Sequence, residues 1–85
     1  MVEKRVVIHL QSGLQARYAT EFVKIASSFN CDINLIKNER SVAAKSIMGV
    51  MSLAVRKGEE VILITEGNDE QNAIETLASF LSGKE

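Results

Sequence analysis

Few residues in this chain can do chemistry, and their positions narrow it quickly. Histidine and cysteine occur once each, at His9 and Cys31. No ligand pair with zinc spacing exists, and no internal disulfide can form. The stretch GLQARYA, residues 13–19, runs a glycine turn into what reads as a helix start. Helix N-termini attract anions, because their first amide N–H groups lack partners and the macrodipole is positive there. Arg17 adds a fixed cation with a planar donor fork, so the turn has the makings of a phosphate site. Gln15 sits where such a site would be expected to carry a reactive side chain. Its carboxamide nitrogen is not a nucleophile, since the lone pair is delocalised into the carbonyl, yet it still donates and accepts hydrogen bonds. Recognition is possible at this turn; group transfer is not.

The second stretch is AKSIMGVMSL, residues 44–53. Ser46 reads first as the N-cap of a short helix running to Leu53, a role worth about 1 kcal/mol. The helix carries Ile47, Met48, Val50, Met51 and Leu53, more apolar side chains than one face of a short helix can bury. Val50 and Leu53 are expected in the core. Ile47, Met48 and Met51 are expected partly outside, as an apolar docking patch of the adaptable kind that methionine favours. Lys45 either contacts a phosphate or an acidic groove on a partner, or is simply solvated. His9 reads as a solvated strand residue and Cys31 as a packing residue. Ser12, Ser41 and Ser52 have nothing near them in sequence to activate a hydroxyl.

The elements that must position these residues follow from periodicity. VVIHL, residues 6–10, alternates as a half-buried strand, with Val6, Ile8 and Leu10 opposite Val7 and His9. Ala16, Ala19, Phe22, Val23, Ala26 and Phe29 form one helical stripe. Cys31 to Lys37 is a second strand, and Ser41-Val42-Ala43 a third. Asn38-Glu39 between them suggests a tight hairpin. A two-residue primed turn wants positive φ at both positions; Asn38 suits this, whereas Glu39 is strained or the loop is longer. Glu60 to Glu66 is a β-branched strand. The last helix starts after Asn68 or Asp69, an Asn68 cap placing Gln71 at the capping-box position. Its stripe is Ala73, Ile74, Leu77, Ala78 and Leu81, with Gly83 near its end. The order β-α-β-β-α-β-α predicts an α+β open-faced two-layer sandwich, a four-stranded antiparallel sheet with helices on one face.

Composition bounds the rest. The 85 residues carry a net charge of −1 and are 46% hydrophobic, one modest globular domain spanning residues 1–85. Nucleic-acid binders are usually basic on one face, so direct nucleic-acid contact is not expected. No apolar run approaches a membrane span and no leader pattern opens the chain. The single cysteine fits a reducing cytoplasm.

With these residues in place, the sequence resembles the HPr family, the histidine-containing phosphocarriers of the sugar phosphotransferase system, over essentially all of its length. GLQARYA is similar to the family pattern Gly-[Ile/Leu]-His-Ala-Arg-Pro-Ala, and KSIMGVMSL to the regulatory-serine segment of Gram-positive members. Two departures matter: Gln15 stands at the phosphorylated histidine, and Tyr18 at the proline. Glutamine for histidine with the serine retained is similar to the catabolite-repression (Crh) branch. The resemblance implies phosphorylation of Ser46 from ATP by HPr kinase/phosphorylase, which also removes the group. It further implies docking on catabolite control protein A, a LacI-type repressor, through Ser46, Gln15, Arg17, Lys45, Ile47, Met48 and Met51. Gln15 and Arg17 are expected to line the same face as Ser46. The implied protein is a cytoplasmic corepressor, neither an enzyme nor a holder of metal or cofactor. Two alternatives remain: a phosphocarrier using another residue, and a small-molecule module unrelated to phosphate signalling. Oligomeric state is left open.

Overall fold

The computed structural model describes residues 1–83. The elements are β1 (Val2–Val7), α1 (Ala16–Ser27), β2 (Asp32–Lys37), β3 (Arg40–Ala43), α2 (Ile47–Ser52), β4 (Glu60–Glu66) and α3 (Glu70–Leu81). The strands form one antiparallel sheet in the order β1-β4-β2-β3. This is the open-faced α+β sandwich expected from the sequence.

The alternation that predicted the strands also decides which face is covered. Val6, Val61, Leu63, Ile33 and Leu35 share one sheet face through the registers Val6↔Val61, Leu35↔Leu63 and Ile33↔Thr65, and all are buried. Against them pack Ala19, Phe22, Val23 and Ala26 of α1 and Ala73, Ile74, Leu77, Ala78 and Leu81 of α3. Phe29 is only half-buried, and Phe80, outside the expected stripe, joins the core.

Two boundaries and one helix cap differ from the sequence expectation, each for a local reason. β1 is Val2–Val7 rather than residues 6–10. Its charged start, Glu3-Lys4-Arg5, hid the strand. The chain then leaves the ladder when Ile8 N–H bonds to Glu59 O (2.9 Å) and His9 N–H to Leu81 O (2.9 Å). Val6, Ile8 and Leu10 still alternate inward, and His9 is exposed. Cys31 lies one residue before β2, where its N–H and that of Asn30 bond to the Asp69 carboxylate at 3.0 and 2.9 Å. α3 starts after Asp69, one of the two expected positions, but that use of Asp69 changes how the start is capped. Asp69 is the N-cap position but makes no side-chain cap bond, and Gly67 N–H is instead taken by Glu70 Oε1 at 3.0 Å. Gln71 pairs with Glu75 (2.8 Å), not with a capping box.

The β2–β3 hairpin turns in two residues, since Lys37 pairs with Arg40. Asn38 and Glu39 have φ 50 and 69, a primed turn with the glutamate in the strained left-handed region.

Candidate functional site

The two stretches singled out in the sequence lie in one helical layer. α1 packs on α2, and two bonds fix the direction. Lys45 Nζ donates to Phe29 O, just beyond the end of α1, at 2.8 Å. Leu14 N–H, just before its start, donates to Val55 O beyond α2, at 2.9 Å. The two helices therefore run antiparallel. Ser46 sits at one end of α2, and the Gln15–Arg17 turn lies at the other. A six-residue helix is about 9 Å long, which sets the scale of that separation.

Ser46 is the N-cap of α2. Its backbone is extended (φ −108, ψ 115), and its Oγ accepts the Gly49 N–H at 3.0 Å. Gly49 leaves room for this: a Cβ there would come within 3.2 Å of Ser46 Oγ and 3.3 Å of Val42 Cβ. The hydroxyl oxygen retains a second lone pair. Around it the helix splits its apolar residues as expected. Val50 and Leu53 are buried, whereas Ile47 is 42% exposed, Met48 80% and Met51 44%. Exposing two methionines and an isoleucine on one short helix is unfavourable in water, and such patches mark contact surfaces.

The Gln15 turn is an uncapped helix start. Gln15 is exposed and extended (φ −126, ψ 151), makes no side-chain cap bond, and no acid stands in the first turn of α1. Ala16 follows with φ 43, a left-handed conformation that costs an L-residue roughly 1 kcal/mol. An open cavity of about 530 Å³ is lined by Gln11, Ser12, Gln15, Ala16, Arg17 and Tyr18. Arg17 lies over the Tyr18 ring, 5.7 Å from its centroid. Tyr18 is half-buried, packing edge-on against Phe80.

Lys45 is held differently from the role the sequence offered it. It is neither simply solvated nor pointing into empty space, because its ammonium is bonded to Phe29 O and ties the end of α1 to the start of α2. Cys31 is buried, and its thiol is pushed up to about 11 by that burial and by the Asp69 carboxylate. It stays protonated at neutral pH, which suits packing and disfavours nucleophilic or metal chemistry. Among the described residues, no group of three His, Cys, Asp or Glu is placed to hold a metal ion. No helix among the described residues is long and apolar enough to cross a membrane.

Two further residues shape the surface that sequence reasoning passed over. Lys37 Nζ donates to Leu53 O (3.1 Å) and Ala54 O (3.0 Å) and pairs with Glu59 (2.9 Å). Arg40 donates to Ser52 O at 3.2 Å and Ser52 Oγ at 3.3 Å. Together they satisfy the carbonyl end of α2, which a short helix cannot satisfy itself. The signal was present in parity: Lys37 falls on the same strand face as Ile33 and Leu35, so an inward cation needed oxygen partners. A third tie joins the two stretches. Gly13 (φ 68) lies so close to Val55 and Arg56 that a Cβ would overlap the Val55 carbonyl.

Comparison with known proteins agrees with this geometry. Residues 2–83 match the family described as PTS HPr component phosphorylation site. The HPr-like protein Crh of Halalkalibacterium halodurans is 53% identical over 81 residues, 95% of this chain and 96% of that one. The HPr-like protein Crh of Bacillus subtilis is 52% identical, covering 95% of each. Among solved structures, the phosphocarrier protein HPr of Bacillus anthracis superposes with a TM-score of 0.93 at 48% identity, covering 94% of this chain and 95% of that one. With the family model matched over residues 2–83, relatives at 53% and 52% identity and a matching fold, the chain belongs to the HPr family.

Proposed function

We propose that this protein is a regulatory member of its family, carrying its signal as a phosphate on Ser46 rather than on a histidine. In this reading the Ser46 hydroxyl oxygen attacks the γ-phosphorus of ATP in the active site of HPr kinase/phosphorylase. ADP leaves, and the hydroxyl proton passes to a base on the kinase. The modified protein docks on catabolite control protein A and acts there as corepressor in the cytoplasm. The repressor makes the DNA contact.

The observation that supports the reading is the pairing of a chemically mute side chain at position 15 with a hydroxyl at position 46. Gln15 stands exposed at the start of α1 with no nucleophilic nitrogen. Ser46 stands at the start of α2 beside exposed Ile47 and Met48, with Met51 one turn on. A phosphate there adds about −1.5 to −2 charges at pH 7 and three acceptor oxygens next to an apolar patch. A partner can read charge and patch together. Arg17 and Gln15 at the far end of α2 would extend the contact. Lys45 contributes only if it exchanges its bond to Phe29 O for a partner's acceptor.

Incubation with ATP and the kinase, followed by mass spectrometry and a titration with the repressor, tests this. The expected result is one phosphate on Ser46 and binding that requires it; phosphate-independent binding sinks the corepressor reading. The phosphocarrier alternative has its own test. Phosphoenolpyruvate and the general transferase enzyme should leave this protein unlabelled, and an acid-labile phosphoryl group would favour the carrier.

A further inference from the structure

Three aromatic rings form a row from the core to the surface. Phe22 is fully buried, and its ring lies 6.5 Å from that of Phe80 at an interplanar angle of 34°. Phe80 meets Tyr18 edge-on, at 6.4 Å and 63°. Tyr18 in turn lies under the Arg17 guanidinium, 5.7 Å from carbon to ring centroid. The Tyr18 backbone is held as well, since its N–H donates to Gln15 O at 3.0 Å. The outermost ring is thus anchored on α3 and at the first turn of α1, with its face towards Arg17.

We propose that Tyr18 is a positioning residue that holds the Arg17 guanidinium ready for docking and thereby tunes which partners bind. The proposal rests on the docking role assigned to Arg17 above. An arginine on an exposed helix start samples many rotamers, and ordering it on binding costs free energy. A cation over an aromatic face is attracted by the ring quadrupole, so part of that ordering is completed before the partner arrives. Tyr18 offers only its π face and takes no N–H bond from the guanidinium, whose donor fork therefore stays available to grip a carboxylate with two parallel bonds. The family pattern has proline at this position, and proline offers neither the π face nor the contact with Phe80. Arg17 here is therefore held in a way that a proline-bearing relative cannot reproduce.

The test uses the whole protein and separates stacking from docking. Tyr18→Phe keeps the ring, Tyr18→Leu keeps apolar contact without a π face, and Tyr18→Pro restores the family residue. Side-chain NMR of the unbound protein should show Arg17 protons shifted upfield by the ring current in wild type and Tyr18→Phe. The shift should vanish in Tyr18→Leu and Tyr18→Pro, a signature that general loosening of the fold does not produce. Titration of the Ser46-phosphorylated proteins with the repressor should give wild-type affinity for Tyr18→Phe. Tyr18→Leu should bind about threefold more weakly. In an Arg17→Ala background the Tyr18→Leu effect should disappear. Absence of the upfield shift overturns the proposal, as does a Tyr18→Leu loss that persists without Arg17. An intact upfield shift with binding indifferent to Arg17→Ala overturns the docking role of Arg17, and the role of the stack in docking falls with it.

Discussion

Ser46 serves the fold and the proposed signal with the same oxygen. Its Oγ accepts the Gly49 N–H, so Ser46→Ala should cost about 1 kcal/mol of stability, a midpoint drop of about 4–8 °C for a domain this size. It should also abolish ATP-dependent labelling. Ser46→Asp retains an N-cap acceptor and should melt close to wild type, as should the phosphorylated protein, where a displaced capping bond is offset by new acceptors beside the helix amides. Thermal melts followed by circular dichroism check all three; a large midpoint shift on phosphorylation would mean the switch remodels the fold. The cap itself was legible in the sequence because capping is local, set within four residues. The bond from Lys45 to Phe29 O was not, because it joins residues sixteen apart whose proximity only the packed helices create.

At the level of elements, the hairpin between β2 and β3 carries a defect with a clear remedy. Glu39 sits at φ 69 in a turn whose geometry favours glycine at that position. Glu39→Gly should therefore stabilise the protein by about 1 kcal/mol, read as a higher urea midpoint with an unchanged slope. An unchanged or lower midpoint would show that the left-handed conformation there carries no penalty. Both the turn and its strain could be read from Asn38-Glu39 flanked by alternating strands. The first strand was harder: Glu3, Lys4 and Arg5 mask a ladder that exists because β4 supplies Ile64, Leu63 and Ile62 opposite them. Hydrogen-bond partners from distant sequence override a charged composition. The capping box offered at the start of α3 was missed for a related reason. Asp69 looked like a choice between caps, whereas its carboxylate is committed to Asn30 and Cys31 on another part of the chain.

Over the whole molecule, three carboxylates act as ties whose strength depends on pH. Bonds from the Asn30 amide, the Cys31 thiol and the Cys31 amide hold Asp69 below its ordinary range. The Gly67 amide and then the Met1 ammonium do the same for Glu70, and Lys37 followed by the Arg56 amide for Glu59. A group depressed in the folded state binds fewer protons there than in the unfolded chain. Its stabilisation is complete above the unfolded value, near pH 4, and is lost as pH falls through the lower folded value. Urea midpoints should therefore be flat from neutral pH to about pH 5 and decline below about pH 4. The decline should be shallower in Asp69→Asn. A midpoint that rises on acidification would contradict these ties. The fold class was visible in sequence because periodicity reports which face of each element is apolar. The antiparallel run of α1 and α2, and the clamp of Lys37 and Arg40 on the end of α2, are properties of assembly.

The contact between Gly13 and Val55 reaches beyond local geometry. Because Leu14 bonds to Val55 O and Gly13 leaves no room for a side chain there, the smallest transferable version of this surface is not the peptide containing Ser46. A graft meant to carry the proposed contact must include residues 13–17 together with the segment from Leu53 to Glu59, or the helix bearing Ser46 arrives without the Gln15–Arg17 turn beside it.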